Sequence, residues 1–555
     1  MIRKFSNRSA NAIRSLIANI ESIAGWFILT TGWQRFGCAF VAGLASALAM
    51  PPFDFFPILF VTFPVLVWLM DSVASEPDSG IMRRLIDGFK PGFAFGFGYF
   101  FAGLWWIGNA FLVEAESFAW ALPIAVVALP ILLAFFWGLA TALARLMWVS
   151  ESFCRLFVIA ACFMLFEYLR GFVATGFPWN AISYAVYITP VSMQSASVVG
   201  LYGMTGFAVF IFSILATFVP SEDYRSTGRK RVFFLAFILA TTHLGYGIWR
   251  IPSEPVERVE NVTLRLVQPA IPQEEKFDKE KEAEVIRTLM DVSTSESQTG
   301  KEGLSEITHV IWPESSFPFF LTNRRDVLAG IASMLPENTM LITGAARYET
   351  SSGSRDDFVF NSVYVINDAG EIVSAADKVH LVPFGEYLPF QNLAESFGIQ
   401  QLTKLQGGFT AGSSRKLLST NVGPAFLPLI CYEIIFSGTL WNETQRPGWI
   451  INLTNDAWFG NTPGPYQHER FSVLRAVEEG LPVVRVANTG VSGVYDPYGF
   501  TQVRLDLGER GAVDAPLPKA LEQTIFMNHG KQLFWMILSG FFILGLFSFL
   551  LRTSH

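Results

Sequence analysis

Charge is scarce in this 555-residue chain. Only 16% of its residues are charged, whereas a soluble domain usually carries about 25%. The deficit excludes a purely soluble protein. Residues 1–250 hold fewer than a third of the charged side chains and are net basic, while residues 251–555 are net acidic. The acidic second half argues against nucleic-acid binding, because phosphate recognition needs a basic face.

Cysteine is also scarce, with four in the chain. Cys38, Cys154 and Cys162 lie in apolar stretches, so Cys431 alone is left for an aqueous domain and no disulfide can form within it. The sequence has no Cys-x-x-Cys, no His-Glu-x-x-His, no EF-hand loop, no phosphate loop and no dinucleotide fingerprint in a strand-to-helix context. These absences predict a protein that uses neither a metal nor a cofactor.

The first half instead carries a series of apolar runs, and a membrane-spanning helix needs about 20 such residues. The runs predict seven spans before residue 252 and an eighth near the C-terminus. Residues 1–34 are predicted to form an uncleaved amphipathic or interfacial helix. The predicted spans are residues 35–50, 55–70, 92–112, 120–148, 153–172, 191–219, 232–251 and 533–551.

The loops between these spans carry their Lys and Arg residues in alternation, around residues 83–90, 145–155 and 225–231. Such loops remain in the cytoplasm. Because seven spans precede residue 252, the positive loops place residues 252–530 on the opposite, extracytoplasmic side. The predicted organisation is therefore a segment 1–34, a membrane domain 35–251, an aqueous domain 252–530, and a last span with a cytoplasmic tail 531–555.

The aqueous part alternates short β-branched runs with polar helical stretches, which predicts a layered α/β domain. The predicted strands are 262–267, 308–312, 340–344, 362–366, 425–431, 449–453 and 483–488. The predicted helices include 279–291, 324–334 and 467–479.

Glu314 follows one of these strands, directly after a proline that ends the strand. A carboxylate packed against Trp312 and the phenylalanines at 317, 319 and 320 would be poorly solvated, which raises its pKa toward the range of a general base. The alternative is a surface glutamate in a turn.

Lys378 and Cys431 also lie at predicted strand ends. Lys378 either faces an oxyanion or is a solvated lysine, and the Pro-Phe-Gly-Glu-Tyr run after it, which contains Glu386, indicates a shaped loop. Cys431 is either a nucleophile or a small buried hydrophobic residue. A thiol needs a base or a cation to become reactive, and Glu314 and Lys378 would supply one of each.

Three motifs in this order, Trp-Pro-Glu at 312–314, Lys378 before Val-Pro-Phe-Gly-Glu-Tyr, and Cys-Tyr-Glu at 431–433, resemble the Glu-Lys-Cys triad of the carbon–nitrogen hydrolase, or nitrilase, superfamily. The membrane half and the Pro-Phe-Gly-Glu-Tyr run resemble its membrane-embedded branch, the apolipoprotein N-acyltransferase family. Further similarity lies at residues 176–179, 190–200, 267–273, 452–460, 467–468 and 488–492.

The resemblance implies a nitrilase-type αββα sandwich on a polytopic helical bundle in a bacterial inner membrane, with the sandwich in the periplasm. It implies transfer of an acyl chain from a phospholipid, usually phosphatidylethanolamine, through a cysteine thioester to the N-terminal amine of a diacylated apolipoprotein. Two other functions stay open from the sequence: a membrane-tethered amidase or nitrilase acting on a small amide, and a non-catalytic lipid-binding or transport scaffold.

The resemblance also implies residue roles. Glu314 would be the base, Lys378 the oxyanion-binding group and Cys431 the nucleophile. Glu386 would orient Lys378 or the nucleophile. Supporting or lid positions would be taken by Tyr432, Glu433 and Trp458. The loops 390–409 and 457–466 would be lids, lipid-contact arms or ordinary structured loops.

Overall fold

The computed structural model describes residues 2–73, 80–113, 115–150, 152–219, 226–350, 357–389, 408–438, 440 and 445–553. The chain forms two compact units. The first comprises Met1–Trp105, Ile124–Arg250 and His529–His555, and the second comprises Trp106–Pro123 and Ile251–Asn528. The four-part division predicted from the sequence stays a prediction.

The first unit is helical. Its helices, two of which extend a few residues into the second unit, are Ile2–Leu29, Gly32–Ser46, Leu59–Val73, Ile81–Leu104, Leu122–Leu146, Arg155–Arg170, Pro190–Met193, Ala196–Phe212, Ser226–Arg250 and Ile525–Thr553. Among the described residues, four helical stretches are long and apolar enough to cross a membrane: Phe56–Val73, Ala119–Leu146, Gly228–Arg250 and Ile525–Phe547.

The predicted count of eight spans is not confirmed. The helix at the third predicted span, Ile81–Leu104, carries four charged residues in its first ten, which leaves a short apolar portion. The helix at the fifth predicted span, Arg155–Arg170, has 16 residues, whereas about 20 residues are needed to span a bilayer. The sixth is divided between two helices, and Gly200 kinks the longer one with a φ of 63°.

Glycines bring two of these helices into backbone contact. A Cβ on Gly43 would lie 1.9 Å from the carbonyl oxygen of Phe95, and one on Gly98 would lie 2.1 Å from that of Phe40. Only glycine allows the helices Gly32–Ser46 and Ile81–Leu104 to approach this closely. Small residues commonly serve this purpose between membrane helices.

The second unit contains two β-sheets. The strands are β1 Arg258–Gln268, β2 His309–Ile311, β3 Met340–Thr350, β4 Asp357–Ile366, β5 Ile372–Asp377, β6 Phe426–Ile430, β7 Trp449–Thr454, β8 Val483–Ala487, β9 Ser492–Tyr495, β10 Thr501–Leu505 and β11 Gly511–Pro518. One sheet has the order β11-β1-β2-β3-β4-β5 and the other β10-β9-β8-β7-β6. Strands β1 to β3 are parallel, as are β6 to β8, and the other pairs are antiparallel.

The sheets pack face to face, with helices on their outer sides. Alternating residues such as Leu266 and Ile311 meet Ile451 and Val486 in the core between the sheets. The opposite face of the six-stranded sheet packs on the helices Glu282–Thr294 and Arg325–Met334. The helix Pro463–Glu479 covers the five-stranded sheet. This αββα arrangement confirms the predicted fold class.

Two further helices among the described residues of this unit are short: Ala115–Phe118 and Gln273–Lys276. The segment Trp106–Pro123 belongs to the second unit although it lies far from the rest of that unit in the sequence. The buried Trp106 indole donates a hydrogen bond to Gln467 at 3.2 Å and its ring lies 4.7 Å from that of Phe459. Asn109 donates to the carbonyl of Trp458 at 3.3 Å.

Candidate active site

The three candidate residues predicted from the sequence each follow a strand end. Glu314 comes three residues after β2, Lys378 directly follows β5, and Cys431 directly follows β6. Strand β5 runs in the same direction as β2, because two antiparallel pairings separate it from β3. The carboxyl ends of β2 and β5 therefore lie at the same edge of the six-stranded sheet, as is usual for sites in α/β folds.

Lys378 lies between two carboxylates. Its Nζ donates a hydrogen bond to Glu386 Oε1 at 3.0 Å and lies 3.8 Å from Glu314 Oε1. Only 1% of the Lys378 surface is exposed. Burial opposes its charge, but Glu386 and Glu314 outweigh burial and raise the pKa of Lys378 above its usual value. The lysine therefore stays a cation without contact with water.

Asn361, from the middle of β4, links the same two carboxylates. Its Nδ2 donates to Glu314 Oε1 and to Glu386 Oε1, both at 2.9 Å. Glu386 also accepts a hydrogen bond from the backbone N–H of Val382 at 2.8 Å. These bonds fix the position of Glu386, which in turn holds Lys378.

Glu314 is buried, and burial, partly opposed by Lys378, raises its pKa. The direction of the shift, and its cause in burial, are the ones expected from the sequence. Trp312 and Phe317 pack in the core between the sheet and its helices. The carboxylate instead faces the polar Asn361 and Lys378, because residues 312 and 314 are separated by the proline turn that ends the strand.

Gly344 in β3 allows the Glu314 turn to lie against the sheet. A Cβ at this position would be 2.6 Å from Glu314 Cα and 2.9 Å from the carbonyl oxygen of Pro313. The backbone of Gly344 pairs with the turn through its N–H to Pro313 and its carbonyl to Ser316. Any larger residue would displace the Glu314 backbone.

Cys431 has a φ of 50°, in the left-handed region that a residue with a Cβ seldom adopts. It begins a short 3₁₀ helix, Cys431–Ile435. Burial raises the pKa of its thiol, the Glu314 carboxylate raises the pKa further, and Lys378 opposes both. The thiol is therefore protonated at neutral pH and needs a base to remove its proton.

Glu433 joins two segments of the site. One is the 3₁₀ helix that begins at Cys431, here called the cysteine turn, and the other is the segment that follows Lys378, here called the lysine loop. The Oε2 atom of Glu433 accepts a hydrogen bond from the N–H of Ile430 at 2.9 Å, and its Oε1 accepts from Val379 and His380 at 3.1 and 3.0 Å. Arg415 lies 3.6 Å from the same carboxylate. A strained backbone conformation persists where its surroundings fix it, and Glu433 supplies part of that restraint.

A second buried network lies behind Cys431. The carbonyl of Cys431 accepts hydrogen bonds from His468 Nε2 at 3.1 Å and from Asn452 at 3.3 Å. His468 Nδ1 lies 2.8 Å from Asp456, and Asp456 forms a 2.5 Å ion pair with Arg485. Burial raises the pKa of Asp456, but Arg485 and His468 outweigh burial and hold it far below its usual value.

Cys431, Asp456 and His468 present potential metal-ligand atoms within 4.8 Å of one another. Asp456 is already neutralised by Arg485, and both ring nitrogens of His468 are engaged. Asp456 and His468 therefore belong to the network that supports the backbone of Cys431.

The other predicted supporting residues have different surroundings. The Tyr432 ring packs 5.7 Å from the His380 ring and 5.2 Å from the Phe436 ring. Trp458 lies in the 3₁₀ helix Asp456–Phe459, and its carbonyl is bonded to Asn109. Residues 390–407 of the proposed lid loop lie outside the described residues. The lid roles stay predictions.

Four residues that the structure brings to this site have no role predicted from the sequence: Asn361, Asp456, His468 and Lys276. Lys276 is buried and donates to the carbonyl of Glu314 at 2.9 Å. Asp456 and His468 fall within stretches that resemble the family. Asn361 directly precedes a predicted apolar strand, and a polar residue there is the only signal that the sequence offered.

Comparisons with known proteins agree with both halves of the chain. Residues 42–215 match the family described as apolipoprotein N-acyltransferase N-terminal domain, and residues 263–525 match carbon-nitrogen hydrolase. The chain is 45% identical to apolipoprotein N-acyltransferase of Agrobacterium fabrum, covering 95% of this chain and 98% of the relative. It is 43% identical to that of Rhizobium meliloti, with the same coverage.

The protein of the same name from Brucella suis is 45% identical, over 90% of this chain and 92% of the relative. Among solved structures, an amidase from Nesterenkonia sp. matches 48% of this chain and 94% of its own, with 15% identity and a TM-score of 0.30.

Proposed function

Since the chain belongs to the apolipoprotein N-acyltransferase family, we propose that it transfers an acyl chain from a membrane phospholipid, through a thioester on Cys431, to the N-terminal amine of a diacylated apolipoprotein. The chain is a membrane-embedded acyltransferase whose substrates are lipoproteins and phospholipids. The catalytic roles of Glu314, Lys378 and Cys431 are part of the proposal.

One observation carries these roles. A protonated thiol, a buried carboxylate of raised pKa and a buried ammonium come together from three separate strand ends. Acyl transfer through cysteine needs these three groups: a nucleophile, a base that takes its proton, and a cation for the oxyanion. A raised pKa suits a carboxylate that must first accept a proton and then return it.

In the first half-reaction, Glu314 takes the thiol proton while Sγ of Cys431 attacks the ester carbonyl carbon of the phospholipid. The carbonyl oxygen becomes an oxyanion that Lys378 stabilises. When the tetrahedral intermediate collapses, the carbon–oxygen bond breaks and Glu314 returns the proton to the leaving alkoxide. The products are a lysophospholipid and an acyl thioester.

In the second half-reaction, the amine of the diacylated apolipoprotein attacks the thioester carbon and passes a proton to Glu314. The carbon–sulfur bond breaks, and Glu314 reprotonates the departing thiolate of Cys431. The amide product leaves the enzyme in its initial state. Splitting the transfer in this way replaces one difficult step by two easier ones.

The apolar helices fit lipid substrates, because exposing an acyl chain to water costs about 0.8 kcal/mol per CH₂ group. We propose phosphatidylethanolamine as the donor, the inner membrane of a bacterium as the location, and the periplasm as the compartment of the second unit. The alternating Lys and Arg residues of the loops support that orientation.

The direct test is the mass of the peptide that contains Cys431 after the full chain is incubated with phosphatidylethanolamine. We expect a gain of one fatty-acyl group, which Cys431→Ala abolishes together with N-acylation of a diacylated lipopeptide. Cys162→Ala is the matched control. Near-normal N-acylation by Cys431→Ala would overturn the assignment, and ammonia release from small amides without acyl loading would favour an amidase.

Topology is tested separately with reporter fusions after residue 228 and at residue 300. We expect the first reporter in the cytoplasm and the second in the periplasm. Both reporters on one side would contradict the proposed seven spans before residue 252.

A further inference from the structure

A second buried lysine contacts the turn that carries Glu314. Lys276 ends the short helix Gln273–Lys276, which follows β1, and it is 1% exposed. Strands β1 and β2 are adjacent and parallel, so the segments that follow them emerge at the same edge of the sheet. Lys276 Nζ donates to the carbonyl oxygen of Glu314 at 2.9 Å.

The charges around Glu314 show what this ammonium contributes. Among the residues that the structure describes, the charged groups that act on the carboxylate are Lys378 after β5, Glu386 from the following loop and Lys276 after β1, and the neutral thiol of Cys431 follows β6. Two carboxylates and Lys378 alone would leave one uncompensated negative charge in a buried cluster. Lys276 brings the cluster to neutrality, and an uncompensated buried charge is costly.

We propose that Lys276 is a positioning residue for Glu314: it anchors the backbone of the Glu314 turn and keeps the carboxylate ionised in the resting enzyme. The inference deepens the proposed function and rests on it. The carboxylate can accept the thiol proton only when it is ionised. Uptake of that proton then makes the cluster net positive beside the developing oxyanion, which favours the first half-reaction.

The electrostatic consequences agree with this geometry. Burial raises the pKa of Glu314, and both lysines oppose that effect. Burial lowers the pKa of Lys276 to about 8, while Glu314 acts in the opposite direction. Removing the Lys276 charge should therefore raise the pKa of Glu314 further. An opposite charge in a buried site typically shifts a pKa by about 1 to 3 units.

The test compares the full-length enzyme with Lys276→Met, which removes both charge and donor, Lys276→Gln, which keeps a donor without charge, and Lys276→Arg, which keeps both. The exposed Lys279 supplies the control, Lys279→Met. The measurement is the rate of acyl loading on Cys431 from phosphatidylethanolamine as a function of pH. Thermal unfolding of each variant shows that it is folded.

In Lys276→Met and Lys276→Gln, we expect the acid limb of the profile to move to higher pH. Loading should be at least about tenfold slower on that limb and recover at higher pH, where Glu314 is ionised again. In Lys276→Arg and Lys279→Met, the acid limb of the loading profile should stay at the pH at which it lies in the wild type. A rate reduced by the same factor at every pH would overturn the proposal and leave Lys276 a purely structural role.

A second readout does not depend on the lipid substrate. Alkylation of Cys431 by iodoacetamide, followed on its own peptide, reports loss of the thiol proton. The alkylation profile should also shift to higher pH in Lys276→Met and stay in place in Lys276→Arg. A shifted alkylation profile without acyl loading by the wild type would reject the proposed function and retain the role of Lys276. An unshifted profile would reject that role.

Discussion

Glu433→Gln is the substitution whose effect follows most directly from the geometry, because one carboxylate joins the two loops that carry Cys431 and Lys378. The Oε1 atom of Glu433 accepts hydrogen bonds from two backbone N–H groups of the lysine loop, and its Oε2 atom accepts one from the N–H of Ile430. A glutamine can keep the two bonds to the lysine loop with its amide oxygen. Its NH₂ group then faces the N–H of Ile430, so two donors oppose each other.

The magnitude follows from that lost bond. A hydrogen bond to a charged group contributes about 1.5–3 kcal/mol, and only 2% of Glu433 is exposed, so water cannot replace the acceptor. We expect a loss of stability of this size, seen as a lower midpoint of thermal unfolding in detergent. The cysteine turn should move relative to Lys378, and a displacement of about 1 Å can slow a reaction about 10²-fold.

The assay is the rate of acyl loading on Cys431 by mass spectrometry, measured below the unfolding midpoint. Glu302→Gln, at an exposed glutamate of the same domain, is the control and should change neither quantity. A Glu433→Gln enzyme that loads at the wild-type rate and unfolds at the wild-type temperature would refute the argument that this carboxylate holds the two loops together.

Three further substitutions probe other parts of the site. Lys378→Arg should slow acyl loading by about 10²–10³-fold, since a planar guanidinium replaces a compact ammonium beside the oxyanion. Trace thioester in long incubations is compatible with this expectation, whereas a loading rate within about threefold of the wild-type rate would contradict it. Gly344→Ala should slow loading at least about tenfold with little change in KM for phospholipid, because the new Cβ displaces the Glu314 backbone; unchanged kcat would contradict that placement. Asp456→Asn leaves the buried Arg485 charge unpaired and should destabilise the fold by about 3–5 kcal/mol. Because the pKa of Asp456 is held far below its usual value, its stabilisation is complete above the unfolded value near 4 and lost only in strong acid, so the difference in unfolding midpoint should be constant from about pH 5 to 8; a difference that appears only above pH 7 would argue against the ion pair.

The layered fold could be predicted because its strands are short apolar runs that end at recognisable breaks. β2, β6 and β7 each lie within about two residues of their predicted positions. Strand β5 and strands β9 to β11 are not among the predicted strands, because serine, glycine and charged residues interrupt their apolar pattern. They are fixed by pairing with neighbouring strands, which no local pattern records.

The residues of the candidate site also fall into a group that the sequence predicts and a group that it does not. The triad candidates were found because reactive side chains at strand ends form short motifs. Asn361 and Lys276 contact the triad from separate elements, and neither lies in a distinctive motif. Their roles depend on which backbone and side-chain atoms meet in space. The span count is not confirmed for a related reason: hydropathy measures the length of an apolar run and cannot detect the kink at Gly200.

The placement of Trp106–Pro123 within the second unit has a consequence for building hybrid enzymes. A chimera that joins the membrane half of one homologue to the soluble half of another at residue 251 would leave this segment with the wrong parent. Trp106 and Asn109 would then meet a foreign helix Pro463–Glu479 and a foreign 3₁₀ helix Asp456–Phe459. Exchange of the whole second unit needs four junctions, so that residues 106–123 travel with residues 251–528.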